Sequence, residues 1–294
     1  LDVKEPGLSV DKVAGRVNRI VQGFGNRCRQ VALALGAGDS ILRLADLPMV
    51  PVSDMRTMLK FNAKSYLQQD LTDYTYDCYI LPPRPGAKTE MPKPGQKTRV
   101  LVGGAKDKLV ADLAQAVRGL GMSVEAIVPG LLGPINAFEL AQVEVFRKEA
   151  VALVDLGFRH STVSVLTEGD LVLTRVVGIG GERVTSWIVE ALGIDAAEAE
   201  GIKMGLAHEV RSVVEGVLSP LGRELRASID YFEHQQDRTV GQVYVSGAAA
   251  SSDHVLDLLK AELMVPCVSW NPTTPLTLAL PAQPSAIALR PRRP

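Results

Sequence analysis

Apolar positions along the chain switch between helical and strand spacing, and the switches mark out the elements. Val10, Val13, Val17, Ile20 and Phe24 recur at steps of three and four and predict an amphipathic helix. Strands follow at Val31 to Leu35 and Ile41 to Leu44. Between them Gly36 to Asp39 has no following helix and no Gly-Lys-Ser, so it reads as a hairpin turn rather than a phosphate loop. A helix over Asp54 to Leu67 carries Met55, Met58, Leu59 and Tyr66 on one face, and Phe61 falls away from that face. A tyrosine-rich strand, Tyr74 to Leu81, ends at the Pro82 to Lys97 breaker. A β-α-β unit then spans Arg99 to Val128, and one helix runs from Gly133 to Phe146.

A second layer opens with three strands, Ala150 to Asp155, Ser161 to Leu166 and Leu171 to Val177. A helix from Glu182 to Leu192 is expected to bury Val184, Trp187, Ile188 and Ala191, and a long one carries an apolar stripe from Val210 to Phe232. Strand Val243 to Ser246, a helix at Asp253 to Leu263 and a short strand near Val265 complete a mixed sheet covered by helices.

Composition narrows the function classes. A formal net charge of −1 gives no general pull toward nucleic acid or an anionic membrane. Arg290, Arg292 and Arg293 form a basic end that reads as a solvated tail or a headgroup contact. Three widely spaced cysteines and four histidines suit a reducing compartment, not a disulfide framework or structural zinc. No apolar run reaches the length of a spanning helix and no signal peptide is seen, so membrane association is expected only through partners.

Four local motifs carry candidate chemistry. Strand Val151 to Asp155 ends in Asp-Leu-Gly, where Asp155 would orient a hydrated magnesium and Gly157 would let backbone N–H groups approach an anion; the same pattern is a routine hairpin turn. Gly180 and Gly181 open a helix that carries Thr185, a phosphate-binding arrangement or a plain strand-to-helix turn. Glu200 and Lys203 share a helix face and read as ribose and adenine or phosphate contacts, or as a surface ion pair. Strand Val243 to Ser246 runs into Gly247 and Ala248, small residues that leave ligand space.

In this order the motifs resemble the second half of the actin-like ATPase fold, and within it the PilM family of type IV pilus assembly proteins. "ALVDLGFRHSTVSVL", "RVVGIGGERVTSWI", "AAEAEGIKMGL", "LGRELRASIDYF" and "VYVSGAAA" carry the likeness, with "LRLADLP" ahead of the small subdomain and "AIALR" near the end. The resemblance implies an α/β protein of two lobes, with mixed sheets flanked by helices and a small displaced α+β subdomain. The expected division is 1–48, part of the first lobe; 49–130, the small partner-binding subdomain; and 131–294, the second lobe and the return to the first.

The same resemblance implies ATP with Mg2+ as the cofactor. Asp155 and Gly157 match the second phosphate motif, Glu200 and Lys203 the ribose and adenine contacts, and Gly247 and Ala248 the adenosine motif. It also implies a PilN-like cytoplasmic peptide as partner, for which Met58, Phe61 and Tyr66 are the candidate contacts, and a cytoplasmic site peripheral to the inner membrane. Pilus motor ATPases and a second copy of the chain are further candidate partners. Three departures bear on activity. The family's opening Asp-x-Gly hairpin is not found in this sequence. Phe158, Arg159 and His160 crowd the phosphate turn, and Ala248 stands at a customary glycine. Pro129 to Phe138 contains no Asp, Glu, Gln or His to activate water. No hydrolysis is therefore expected. The rival readings are a GspL-like scaffold of type II secretion without nucleotide and a small-molecule kinase of the same superfamily.

Overall fold

The computed structural model describes residues 9–25, 29–82, 96–205 and 210–276. Cys28, the basic end and the expected closing helix at "AIALR" lie outside them, as does most of the Pro82 to Lys97 loop.

Among the described residues three sheets and four apolar cores organise the fold. The first unit pairs β1 (Gln30–Leu35) in parallel with β5 (Ser123–Pro129). Helices α1 (Val10–Gly23) and α3 (Asp107–Arg118) cover it, with Val13, Leu35, Leu113 and Ala116 at the contact. Ser9 caps α1 by accepting from the Lys12 N–H at 3.4 Å.

The second unit is a three-stranded antiparallel sheet in the order β2 (Ser40–Pro48), β4 (Lys97–Lys106), β3 (Tyr74–Ile80). Helix α2 (Val52–Leu67) lies on it and buries Met55, Leu59, Ala63 and Leu67. Two expectations change here. The turn after β1 is not a hairpin, because β1 and β2 belong to different sheets. The expected β-α-β unit likewise divides, β4 staying in the small sheet while β5 joins β1.

The third unit is a five-stranded sheet ordered β10 (Cys267–Ser269), β9 (Gln242–Ser246), β6 (Ala150–Leu156), β7 (Ser161–Thr167), β8 (Asp170–Val177). Every residue of β7 is buried. Both faces of the central strands are therefore covered. On one face Ala152, Val154 and Leu156 meet helices α6 (Gly181–Leu192), α8 (Arg211–Gln236) and α9 (Asp253–Leu263). On the other, Val151 and Leu153 meet α4 (Leu132–Ala141) and α5 (Val143–Lys148) through Ile135, Phe138 and Phe146. The single helix expected over Gly133 to Phe146 is thus two, broken at Gln142, whose φ of −133° and ψ of 51° are not helical. Trp187 is 38% exposed and Ala191 is exposed, so α6 buries Val184, Thr185 and Ile188 instead.

Two arginines join the small sheet to the large one. Arg43 on β2 donates to the Thr174 carbonyl on β8 at 2.7 Å, and Arg99 on β4 pairs with Asp170 at 2.8 Å.

Candidate functional site

The ends of β6 and β9 carry the first part of the site. Side chains alternate along a strand, so Asp155 continues the Val151 and Leu153 row that faces α4. It ends that apolar row in a carboxylate. Its register partner on β9 is Ser246, whose hydroxyl donates to Asp155 Oδ1 at 2.8 Å. The next residue, Gly247, has φ +100°, a region that only glycine adopts without strain. A Cβ on Gly247 would stand 2.3 Å from the Leu156 carbonyl oxygen. Ala248 begins the exposed turn that leads to α9.

The turn between β6 and β7 locks against the start of α6. The Gly181 N–H donates to the Gly157 carbonyl at 3.0 Å, and the Glu182 N–H to the Phe158 carbonyl at 2.7 Å. These two donors are the first orphan N–H groups of α6. A Cβ on Gly180 would lie 2.4 Å from the Phe158 oxygen, and one on Gly157 would lie 2.4 Å from the His160 oxygen. Both glycines are therefore required for backbone to approach backbone, whatever the ligand.

Helix α7 (Ala196–Gly205) supplies Glu200 and Lys203. Lys203 Nζ donates to Glu200 Oε1 at 2.7 Å, to Thr185 Oγ1 at 2.8 Å and to the Gly181 carbonyl at 3.3 Å. An ammonium has three donors, and all three have protein acceptors. Thr185 in turn donates to Glu200 Oε1 at 2.5 Å. Burial pushes the Glu200 carboxyl upward, but hydrogen bonds from Lys203 and Thr185, with the Lys203 charge, outweigh it and hold it below its ordinary value. The Phe158 ring lies 5.9 Å from Lys203 Nζ.

Contacts thus run without a break from Asp155 through Ser246, Gly247, Leu156, Gly157 and Gly181 to Lys203 and Glu200. Sequence reasoning missed Ser246, and it noted Thr185 only as a passenger of its helix. A threonine one turn into a glycine-opened helix is a signal the sequence carries, whereas the pairing of Ser246 with Asp155 depends on strand register that local pattern does not give.

The second set of candidates lies on α2. Phe61 is 76% exposed, Met58 is half-buried, and Tyr66 packs on the small core. Phe61 and Met58 are three residues apart and so flank one another on the outer face. Asn62, at φ −136°, kinks the helix beside them.

This architecture, a unit with a parallel strand pair, a larger unit whose five-stranded mixed sheet ends in glycine-lined turns, and a small inserted sheet, is that of the actin-like ATPases. Residues 7–290 match the family described as Type IV pilus assembly protein PilM, and the chain belongs to that family. A solved structure titled PilM-PilN type IV pilus biogenesis complex superimposes with a TM-score of 0.77, at 21% identity, over 92% of this chain and 80% of that one. The cell division protein FtsA of Bacillus subtilis (strain 168) is 32% identical over 108 residues, 37% of this chain and 24% of its own length. FtsA of Streptococcus pneumoniae serotype 2 is 22% identical over 156 residues, 53% of this chain and 32% of its own length. The matched segments therefore span a third or less of these division proteins. Among the described residues no helix is long and apolar enough to cross a membrane.

Proposed function

We propose that the chain is a docking protein of a type IV pilus-like machine, which captures the N-terminal cytoplasmic tail of a PilN-like membrane protein on the outer face of α2. Through that partner it sits at the inner membrane. The observation that carries the reading is Phe61. The small core is already filled by Met55, Leu59, Ala63 and Leu67, yet Phe61 stands 76% exposed beside Met58. A methionine next to an aromatic ring suits an apolar peptide. Membership of the PilM family, and a fold match to a structure titled as a PilM-PilN complex, support the choice of partner.

The end of β6 fits magnesium and ATP in part. Asp155 keeps one carboxylate oxygen beyond its bond with Ser246, and the exposed Ala248 stands at the end of the neighbouring strand. Bound nucleotide would supply a phosphate tail and its cation, with no bond broken. A second reading, a scaffold that works without nucleotide, is favoured by Lys203, whose three donors are already taken.

The test is a fluorescence titration of the full chain with the tail peptide of the PilN-like protein encoded beside it. Phe61→Ala should abolish binding and Asp155→Ala should retain it, with circular dichroism unchanged in both. Absence of binding by the unaltered chain, with and without ATP, refutes the docking role. Calorimetry with ATP on the same preparations separates the two readings of this site.

A further inference from the structure

A cavity of about 380 Å³ lies where the edge of the small sheet faces the edge of the large one. Its size is that of a small-molecule site. Arg43 on β2, Arg175 on β8, Gln69 after α2 and His160 in the turn before β7 all line it. No aspartate or glutamate is among its described lining residues. The His160 and Phe158 side chains have different neighbours: the Phe158 ring lies 5.9 Å from Lys203 Nζ, whereas the His160 ring lies against Gly38.

The charges in this cavity are not balanced. Arg175 is offset on its outer side by Glu224, at 2.5 Å. Among the described residues Arg43 has only a neutral partner, the Thr174 carbonyl at 2.7 Å, and no ion pair. Burial and then the like charge of Arg175 hold its guanidinium below the ordinary arginine value. A half-buried cation beside a second cation is costly until an anion meets it.

We infer that this cavity binds a phosphate-bearing small molecule, anchored by Arg43 and Arg175. A phosphate group suits the walls better than a carboxylate does. It carries about −1.5 to −2 charges at neutral pH and three acceptor oxygens, against N–H donors arriving from four separate segments. Leu42, Leu131 and Val176 supply apolar wall for the body of the ligand. Because Arg43 belongs to the small sheet and Arg175 to the large one, the bound group would bridge the two.

The test is calorimetry of the full chain with inorganic phosphate and with glycerol 3-phosphate, succinate serving as the carboxylate control. Both phosphate probes should bind one to one, glycerol 3-phosphate the more tightly. Loss of a charged hydrogen bond predicts affinity weaker by about tenfold or more in Arg43→Met and in Arg175→Gln. Lys203→Met should leave both affinities unchanged. Arg175, which is 44% exposed, provides the deciding variant if Arg43→Met does not fold. The inference is overturned if neither probe binds, if succinate binds as tightly as phosphate, if both arginine variants that fold bind normally, or if Lys203→Met removes binding.

Discussion

Replacing Gly247 by alanine tests the geometry at the end of β9. At φ +100° and ψ 167° the backbone occupies a region open essentially only to glycine. Holding an alanine there costs about 1–3 kcal/mol. The new methyl would also stand 2.3 Å from the Leu156 oxygen and 2.9 Å from its carbonyl carbon. Leu156 ends a buried strand and cannot give way as a flexible side chain would, so overpacking adds about 1–3 kcal/mol. The sum is a destabilisation of roughly 2–6 kcal/mol, which lowers Tm by on the order of 10 °C for a chain of this size. Gly201 in α7 is the control. A Cβ there meets nothing within 4 Å, and the residue is helical. Gly201→Ala should stabilise by about 0.5–1 kcal/mol. Urea unfolding followed by circular dichroism and tryptophan fluorescence measures both. A Gly247→Ala variant within about 0.5 kcal/mol of the parent would refute the backbone assignment.

Phe232 is 1% exposed in the core beneath the large sheet, and Phe232→Ala should cost about 3–5 kcal/mol by the same urea assay. The Glu200 carboxyl is held below its ordinary value of 4.5, so its stabilising effect is complete above that pH and is lost as pH falls through the lowered value. Acid unfolding should therefore show the parent's advantage over Glu200→Gln shrinking below pH 4.5; an advantage that persists unchanged at pH 2 would contradict the clamp between α6 and α7. Burial pushes the Cys78 and Cys267 thiols up to about 11, and peptide mapping should find both slow to alkylate at neutral pH. ATP turnover should stay at the level of a heat-killed control, since a missing base forfeits about 10²–10⁴ in rate; turnover abolished by Asp155→Ala would overturn that expectation.

Helices with one buried face were legible from their spacing, and the doubly covered strands from short apolar runs bounded by turns. Helices α1, α2, α6 and α9 and strands β6 to β8 fall where period and flanking residues place them. Sheet membership was not legible, because local pattern does not say which partner a strand will find. β4 runs on to Lys106 through Gly103 and Gly104, two glycines inside a strand. A Cβ at Gly104 would stand 3.0 Å from the Tyr76 ring, so the glycine makes room for a neighbouring strand's tyrosine rather than ending its own strand. Trp187 fits an apolar stripe on α6, yet it lies over Gly216 of α8, where a Cβ would be 2.9 Å from its ring. No property of α6 announces a missing side chain on another helix. The motif residues stood out because they end strands and open helices. Arg43 and Arg175 did not, since each sits mid-strand like any surface-facing charge.

The hydrogen bond between Asp155 and Ser246 joins residues 91 positions apart, with α6, α7 and all of α8 between them. The β6–β7–β8 meander needs only neighbouring chain and can form as soon as it leaves the ribosome. Its inner edge then waits for β9. Counted from the end of the meander at Val177 to Ser246, synthesis at about 5–20 residues per second takes roughly 3–14 seconds. Throughout that time β6 exposes an apolar edge beside a lone carboxylate, so the nascent chain is open to mispairing there. Chaperone capture and aggregation during synthesis should both centre on the exposed edge of β6.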